Sequence, residues 1–258
     1  MPHVQVGRNR IHFVEAGPPL TNGPSPIVFI HGAGGSHQIW LHQLRALGRE
    51  RRAIALDLPG HGESNGSGSG RIEVYRDLVK RFMAVLELRR IVLVGHSMGG
   101  AITQSFALTN PDQLAAIVLV GTGARLRVNP KIFAALQDNP RGAVELITRS
   151  ARAPDARPEE IEQDAEAMLR TPVPVIEGDL RACDVFDLMT KVEQIAVPTL
   201  VVCGSDDLMT PPKYAEYLHQ QIQGSQLVLV PAAGHMVMLE KPDGVNRTIE
   251  AFLNGLGC

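Results

Sequence analysis

The chain has 258 residues, of which 44% are hydrophobic and 20% are charged, and its formal net charge is −2. This composition disfavours a disordered or fibrous protein, and the scattered Lys and Arg residues form no basic patch for nucleic acid or a membrane surface. Three widely spaced cysteines argue against a disulfide framework. The first residues lack the apolar stretch of a secretory signal, and no segment reaches the ~20 apolar residues that span a bilayer. Together these features predict a soluble, cytoplasmic protein.

Short apolar runs alternate with longer amphipathic stretches along most of the sequence. The first two runs predict a hairpin that turns at Gly7-Arg8-Asn9, so the sheet is expected to begin antiparallel. Apolar residues three or four positions apart between Ile72 and Val85 predict a helix with one buried stripe. Strands alternating with helices predict a parallel sheet with right-handed crossovers. The predicted strands are Val4–Val6, Ile11–Val14, Ile27–Ile30, Arg52–Leu56, Ile91–Val94, Ala116–Val120, Thr199–Cys203 and Leu227–Val230.

The alternation stops after Val120 and resumes at Pro198. The stretch between them carries helical patterns such as Pro158–Leu169 and predicts a helical lid over one face of the sheet. The Gly/Ser stretch Ser64–Gly70 predicts a surface loop rather than a domain linker, because strand and helix signals of one sheet flank it. The predicted domains are a core of residues 1–123 and 191–258 and a lid of residues 124–190.

The sequence Gly95-His96-Ser97-Met98-Gly99 lies directly after a predicted strand and directly before a helical pattern. A serine on such a tight strand-to-helix turn has a strained backbone of positive φ and an accessible hydroxyl. Small residues are needed two positions before and after it because the strand and the helix nearly touch. The pattern therefore predicts Ser97 as a nucleophile, against the alternative of a glycine-rich turn with an incidental serine.

A glycine-rich loop, His31-Gly32-Ala33-Gly34-Gly35, follows the strand Ile27–Ile30. Attack on an acyl carbon produces an oxyanion, which two preorganised N–H donors stabilise. The backbone amides of Ala33 and Met98 are the predicted donors. The alternative, a phosphate-binding loop, is disfavoured because the run lacks both GxGxxG and a GK[ST] ending.

An acid and a histidine follow the last two predicted strands, at the sheet edge where sites form in open α/β sheets. Asp206 and Asp207 compete for the role of the acid, and their spacing alone does not choose between them. His235 follows the last strand and is the predicted general base. The chain order serine, aspartate, histidine is that of the α/β hydrolases rather than of other serine proteases.

Five motifs in this order resemble the α/β-hydrolase fold family over nearly the whole chain, and in particular its small-lid serine hydrolases, which include esterases, enol-lactone hydrolases and carbon–carbon bond hydrolases. The resemblance implies a mostly parallel eight-stranded sheet with helices on both faces and a helical lid after the sixth strand. It also implies Asp207 as the acid, since the family's acid usually lies three residues after the strand-ending glycine. Relatives that act on haloalkanes or epoxides use an aspartate nucleophile, so Ser97 disfavours those reactions. The motifs are His31-Gly32, the turn Asp57–Ser64, the turn at Ser97, Gly204–Pro211 and Gly234-His235.

The expected function is hydrolysis of a carboxylic ester or lactone of a small, largely apolar substrate through an acyl-enzyme, with no cofactor. Met209, Met236 and Val237 flank the catalytic positions and are predicted to line an apolar pocket. Two alternatives stay open: a carbon–carbon bond hydrolase of a diketone-like substrate, and a hydrolase-fold ligand receptor with slow or no turnover. The sequence leaves monomer or dimer open and predicts neither a nucleic-acid nor a membrane partner.

Several other polar residues are predicted to be structural. We expect the His96 side chain to point away from the site, and Asp57 and His61 to hold their turn. A metal site is disfavoured because no histidine pair has HExxH or i, i+4 spacing. The arginines that flank the lid are candidates for clamping a substrate carboxylate, although solvated helix faces explain them equally well. These arginines are Arg125, Arg127 and Arg181.

Overall fold

The computed structural model describes residues 2–18 and 23–257. Eight strands form one sheet in the order β1-β2-β4-β3-β5-β6-β7-β8, in which β1 and β2 run antiparallel to their neighbours and the other strands pair in parallel. This confirms the predicted α/β-hydrolase fold with an eight-stranded, mostly parallel sheet. The strands are β1 His3–Val6, β2 Asn9–Ala16, β3 Ile27–Ile30, β4 Ala53–Leu56, β5 Ile91–His96, β6 Leu114–Val120, β7 Thr199–Gly204 and β8 Gln226–Val230.

Helices cover both faces of the sheet. Every residue of the five strands β3 to β7 is buried, as expected for continuous apolar runs that are covered on both sides. One apolar layer packs α2, α3 and α8 against the sheet, and the other packs α1 and α10 against its opposite face. The helices of the described residues are α1 Leu41–Leu47, α2 Ile72–Val85, α3 Met98–Thr109, α4 Pro130–Asp138, α5 Pro140–Ala151, α6 Pro158–Met168, α7 Val173–Val185, α8 Pro212–Gln221, α9 Val237–Glu240 and α10 Pro242–Gly255.

The first hairpin and helix α2 differ slightly from their predictions. Val6 pairs with Asn9, so the turn itself consists of Gly7 and Arg8, and Gly7 supplies the positive φ of 60°. The buried stripe of α2 begins at Ile72 as predicted and continues to Phe82 and Met83, but Val85, the last residue of the helix, is 48% exposed.

Four helices, α4 to α7, lie between β6 and β7 and are called the insertion here. They share an apolar cluster that includes Leu136, Val144 and Ile176, and the cluster also contacts Ala33 of the glycine-rich loop. Arg125 and Asp187 form an isolated antiparallel bridge where the chain enters and leaves the insertion. The predicted boundary between a core and a lid of residues 124–190 stays a prediction. No helix among the described residues combines the length and apolarity needed to cross a membrane.

Candidate active site

Ser97 lies at the turn between β5 and α3, with φ of 53° and ψ of −115°. Neighbouring groups hold this strained backbone in place. The Ser97 amide donates to the Val120 carbonyl over 3.0 Å, and the Thr122 hydroxyl donates to the Ser97 carbonyl over 2.9 Å. A non-glycine residue keeps a positive φ at such a cost only where its surroundings determine it. The local structure therefore presents the Ser97 side chain at the carboxyl end of β5.

The glycines around Ser97 are required by close backbone contacts. A Cβ atom on Gly95 would lie 2.1 Å from the carbonyl oxygen of Gly99. A Cβ atom on Gly99 would lie 2.4 Å from the carbonyl oxygen of Ile30. Both distances are far below van der Waals contact, so the strand and the helix meet here without room for any side chain.

Asp207 and His235 form a buried hydrogen-bonded pair. The Nδ1 atom of His235 lies 2.8 Å from Oδ2 of Asp207, and the two residues are 3% and 2% exposed. Burial by itself raises the pKa of Asp207, but the neighbouring His235 and the hydrogen bonds to the carboxylate hold that pKa below its ordinary value. An ionised carboxylate therefore accepts from Nδ1–H and leaves Nε2 of His235 as the basic nitrogen.

The competing acid, Asp206, makes a different contact. Its carboxylate accepts a hydrogen bond from the hydroxyl of Ser205 over 3.1 Å, and the side chain is half-buried. Asp207 turns inward instead because the amides of Met209 and Thr210 both donate to its Oδ1, over 2.9 and 2.8 Å. The local turn thus selects which of the two adjacent carboxylates faces the histidine.

Thr210 is a member of this group that the sequence did not single out. Its hydroxyl lies 2.8 Å from Oδ2 of Asp207 and 3.1 Å from Nδ1 of His235. The residue is 5% exposed and lines the same cavity as His235. Its position three residues after Asp207 on the same turn was the available sequence signal.

Ser97 and His235 line one cavity of about 170 Å³, which lies beneath the insertion. Within the described residues the Ser97 hydroxyl forms no hydrogen bond, with His235 or any other group. Catalytic contacts of this kind are commonly loose without substrate and tighten in the complex. The structure thus brings the predicted nucleophile to the same cavity as the Asp207–His235 pair.

The predicted oxyanion donors differ in their surroundings. Met98 begins α3, and the first amides of a helix have no partner inside it. In the glycine-rich loop, Gly34 N–H is committed to Asp179 over 2.9 Å and Gly35 N–H to the Gly32 carbonyl over 3.1 Å. Neither of those two amides is available to a substrate, and the Ala33 amide of the same loop, which lines the cavity, stays the predicted donor.

The cavity wall is mostly apolar. Met209 and Met236 line it, as does a group of residues from the insertion that the sequence did not identify. The prediction for Val237 is corrected by the structure. Val237 is fully buried in the core layer around α10, because the first turn of α9 directs its side chain toward the sheet and away from the cavity. The apolar insertion and linker residues of the wall include Leu126, Val128, Ile147, Ala151, Met168 and Leu180.

The charged side chains of the described wall, Arg127 and Asp164, are each paired with an opposite charge. Arg127 donates to the carbonyl of Asp184 and lies 3.3 Å from Asp187, and Arg152 donates to Asp164 over 2.6 Å. Both charged residues of the wall are therefore already engaged in ion pairs, and Arg127 shares Asp187 with Arg125.

The other two arginines considered as substrate clamps also face acids. Arg125 lies 3.7 Å from Asp187, and Arg181 lies 2.5 Å from Glu177. All of these contacts are on partly exposed side chains, so solvated ion pairs account for the flanking arginines.

His96 does not point away from the site, contrary to expectation. Its ring centroid lies 4.6 Å from that of His235, and its Nε2 donates to the His235 carbonyl over 3.1 Å. Burial and the neighbouring His235 hold the pKa of His96 well below its ordinary value, so the ring is neutral with its proton on Nε2. The abrupt turn at Ser97 changes the strand direction and leaves the last residue of β5 beside the cavity.

Asp57 holds its own turn, as predicted. Its carboxylate accepts from the Nδ1 of His12 over 2.8 Å, from the His37 amide over 2.7 Å and from the Glu63 amide over 3.0 Å. Burial by itself raises the pKa of Asp57, but the contacts from His37 and the nearby His31 bring that pKa well below its ordinary value. His12, His37 and Asp57 form a cluster of metal-ligand type, and hydrogen bonds among them account for its geometry.

Comparisons with known proteins place this chain in a family. A thermophilic esterase of known structure is 36% identical to this chain, with a TM-score of 0.86, and the match covers 99% of this chain and 98% of the esterase. The enol-lactonase of Burkholderia xenovorans LB400 is 25% identical to this chain, with a TM-score of 0.91, and the match covers 98% of this chain and 100% of the enol-lactonase. The pimeloyl-[acyl-carrier protein] methyl ester esterase of Pectobacterium carotovorum is 26% identical over 89% of this chain and 94% of its own. The model of the alpha/beta hydrolase family matches residues 27–248, and the chain therefore belongs to that family.

Proposed function

We propose that this protein is a serine hydrolase that cleaves a carboxylic ester or lactone of a small, largely apolar substrate through an acyl-enzyme. The observation that carries the proposal is the 2.8 Å hydrogen bond between buried Asp207 and His235, in the cavity that also holds Ser97 on its strained turn. An acid that orients an imidazole beside an accessible serine is the arrangement that makes an alcohol nucleophilic.

In the proposed reaction, Nε2 of His235 takes the proton from Oγ of Ser97 as that oxygen bonds to the carbonyl carbon. The carbonyl π electrons move to its oxygen, and the Ala33 and Met98 amides stabilise this oxyanion together with the amino end of α3. The oxyanion re-forms the carbonyl as the bond to the alcohol oxygen breaks, and His235 protonates that oxygen. Water then attacks the acyl-enzyme in the same way, releasing the acid and restoring Ser97.

The substrate class follows from the cavity wall. Apolar side chains dominate it, and its two charged residues, Arg127 and Asp164, are already paired. A charged group placed there loses its hydration and gains no free partner, which costs several kcal/mol. The relatives named as a methyl ester esterase and an enol-lactonase support an ester or a lactone as the bond that is cleaved.

The test is a panel of p-nitrophenyl esters of increasing acyl length, assayed with the wild type and with Ser97→Ala. We expect hydrolysis with an optimum at short to medium chains and its loss in Ser97→Ala. Ser105→Ala is the matched control, because Ser105 is a buried serine on α3, the helix that follows Ser97, and lies outside the cavity wall. Ester hydrolysis that survives in Ser97→Ala would refute the proposed nucleophile.

Two other outcomes would change the reaction class. Cleavage of a diketone-like substrate to a keto acid, at a rate well above that of the esters, would indicate a carbon–carbon bond hydrolase. Barely detectable turnover of every ester, combined with tight ligand binding, would instead indicate a receptor.

A further inference from the structure

The glycine-rich loop is held at Gly34 by two side chains of the insertion. The Gly34 amide donates to Oδ2 of Asp179 over 2.9 Å, and the Gly34 carbonyl accepts from the Thr171 hydroxyl over 3.1 Å. Both partners are buried, Asp179 on α7 and Thr171 just before it. The peptide groups on either side of this glycine are therefore fixed from outside the core sheet.

Asp179 accepts hydrogen bonds from three separate parts of the chain. Besides the Gly34 amide, it accepts from Nε2 of His61 over 2.7 Å and from the hydroxyl of Tyr75 over 2.5 Å. The carboxylate is fully buried, as is His61. A carboxyl group so deeply buried is tolerated only when hydrogen bonds compensate its lost hydration, and three donors do so here.

His61 contributes one of these donors. Its Nδ1 faces the Pro59 carbonyl over 3.1 Å while its Nε2 faces Asp179, so both ring nitrogens have acceptors and both can carry protons. Burial by itself lowers the pKa of His61, but the Asp179 carboxylate outweighs burial and raises that pKa above its ordinary value. The result is a buried histidine–carboxylate contact of 2.7 Å between the turn after β4 and the insertion.

The backbone conformation at position 34 favours glycine. Its φ is +66°, and a Cβ atom would lie 2.7 Å from Cε of Met168, a residue of the cavity wall. The loop thus packs against the insertion at the same glycine whose amide Asp179 holds. A shift of either element changes the direction of the adjacent peptide groups.

We propose that Asp179 is a positioning residue for the oxyanion site. By fixing the peptide between Ala33 and Gly34, it sets the orientation of the neighbouring Ala33 amide toward the oxygen on which charge develops. Asp179, which is not part of the cavity wall, thereby contributes to transition-state stabilisation without touching the substrate. The inference rests on the proposed serine hydrolase chemistry, in which the Ala33 amide is a donor.

The test is Asp179→Asn, which keeps the shape of the side chain but replaces one of its two acceptor oxygens by an NH2 group. That group opposes Tyr75 at the Oδ1 position, or both Gly34 and His61 at the Oδ2 position. We expect kcat to fall by about 10- to 100-fold with little change in KM, because displacing a donor by a fraction of an ångström weakens the transition state selectively. Affinity for an alkyl trifluoromethyl ketone, whose serine adduct carries the oxyanion, should fall by the same factor. Affinity for the corresponding secondary alcohol, which forms no adduct, should stay unchanged.

Asp184→Asn is the matched control. Asp184 lies on the same helix and accepts from the Val128 amide over 3.1 Å, within the segment between β6 and β7. It should leave kcat and both affinities at wild-type values. If Asp179→Asn does not fold, Tyr75→Phe replaces it, since this change removes one donor to Asp179 and should produce a smaller effect of the same kind.

The two proposals fail in different ways. Unchanged kcat in folded Asp179→Asn, or equal weakening of the ketone and the alcohol, would overturn the positioning role while Ser97-dependent hydrolysis by the wild type stands. Loss of Ser97 dependence in the wild type would overturn the proposed function first.

Discussion

Nε2 of His96 donates a hydrogen bond to the carbonyl oxygen of His235 over 3.1 Å, and the two rings pack at a centroid distance of 4.6 Å. The residue before the predicted nucleophile thus supports the backbone of the predicted base. In His96→Phe the ring contact stays but the donor is lost, and we expect kcat/KM for a p-nitrophenyl ester to fall by about 10-fold. His96→Gln places an N–H at a similar reach and should recover most of the rate. Equal rates in the Phe and Gln variants would show that only ring packing matters.

Thr210→Val should weaken the Asp207–His235 pair. The substitution preserves shape but removes the hydroxyl that lies 2.8 Å from Oδ2 of Asp207. A hydrogen bond to a charged group is worth roughly 1.5 kcal/mol or more, so we expect kcat/KM to fall by about 10-fold. The control is Thr199→Val at the other end of β7, whose hydroxyl donates only to the Val197 carbonyl. It should lower stability without changing kcat/KM, and a similar activity loss in both variants would contradict the specific role of Thr210.

Stability should fall as pH drops through the range from about 6.5 to about 4. Burial, assisted by the positive charge of His61, lowers the pKa of His31 from 6.5 to about 4. In that range the unfolded state takes up a proton that folded His31 refuses, so His31 alone lowers the free energy of unfolding by about 1.4 kcal/mol for each pH unit. His96, whose pKa is also lowered by burial, adds to the loss in the same direction. Because the pKa of His61 is raised, His61 changes the free energy of unfolding only at pH values above its ordinary pKa. It therefore does not offset this loss.

Urea unfolding of the wild type and of His31→Gln at pH 7, 6 and 5 measures this effect. Glutamine preserves polar character at the position and removes the titration. The variant should show a shallower dependence of unfolding free energy on pH than the wild type. Parallel curves for the two proteins would show that other groups cause the loss.

Met209→Lys should change the preference for substrate charge. Met209 lines the apolar cavity and is 38% exposed, so a lysine there can reach solvent without unfolding the site. We expect a higher KM for p-nitrophenyl butyrate and a lower KM for mono-p-nitrophenyl succinate, whose acyl chain ends in a carboxylate. Leu208→Lys, at a neighbouring residue that is 66% exposed, is the control and should change neither value. Identical changes in both lysine variants would indicate a general charge effect.

Features that depend on local chain geometry could be predicted from the sequence. Continuous apolar runs predict the strands. Gly95 and Gly99 predict the crowded turn at Ser97, because the close contacts there are set largely by neighbouring residues. The family resemblance, rather than spacing, chose between Asp206 and Asp207. The structure supplies the physical reason, since two amides of the same turn draw Asp207 inward.

Features that depend on distant segments could not be predicted. Asp179 lies 145 residues from its partner Gly34 and 118 from His61, and no local pattern marks it. The position of Val237 close to His235 in the sequence predicts that it lines the pocket, but α9 directs its side chain into the core. Side-chain direction after a sharp turn and contacts across an insertion are set by tertiary packing.

The bridge between Arg125 and Asp187 brings the two ends of the insertion to one point beside the sheet. Because these ends already meet, the entropy of closing the insertion changes only slowly with its length. We therefore expect that these helices can be exchanged as a unit to change the substrate range while the strands keep their register. Any segment that replaces the insertion needs a hydrogen-bond acceptor for the Gly34 amide and an acceptor for His61, because both lose Asp179. This requirement identifies compatible segments before a variant is made.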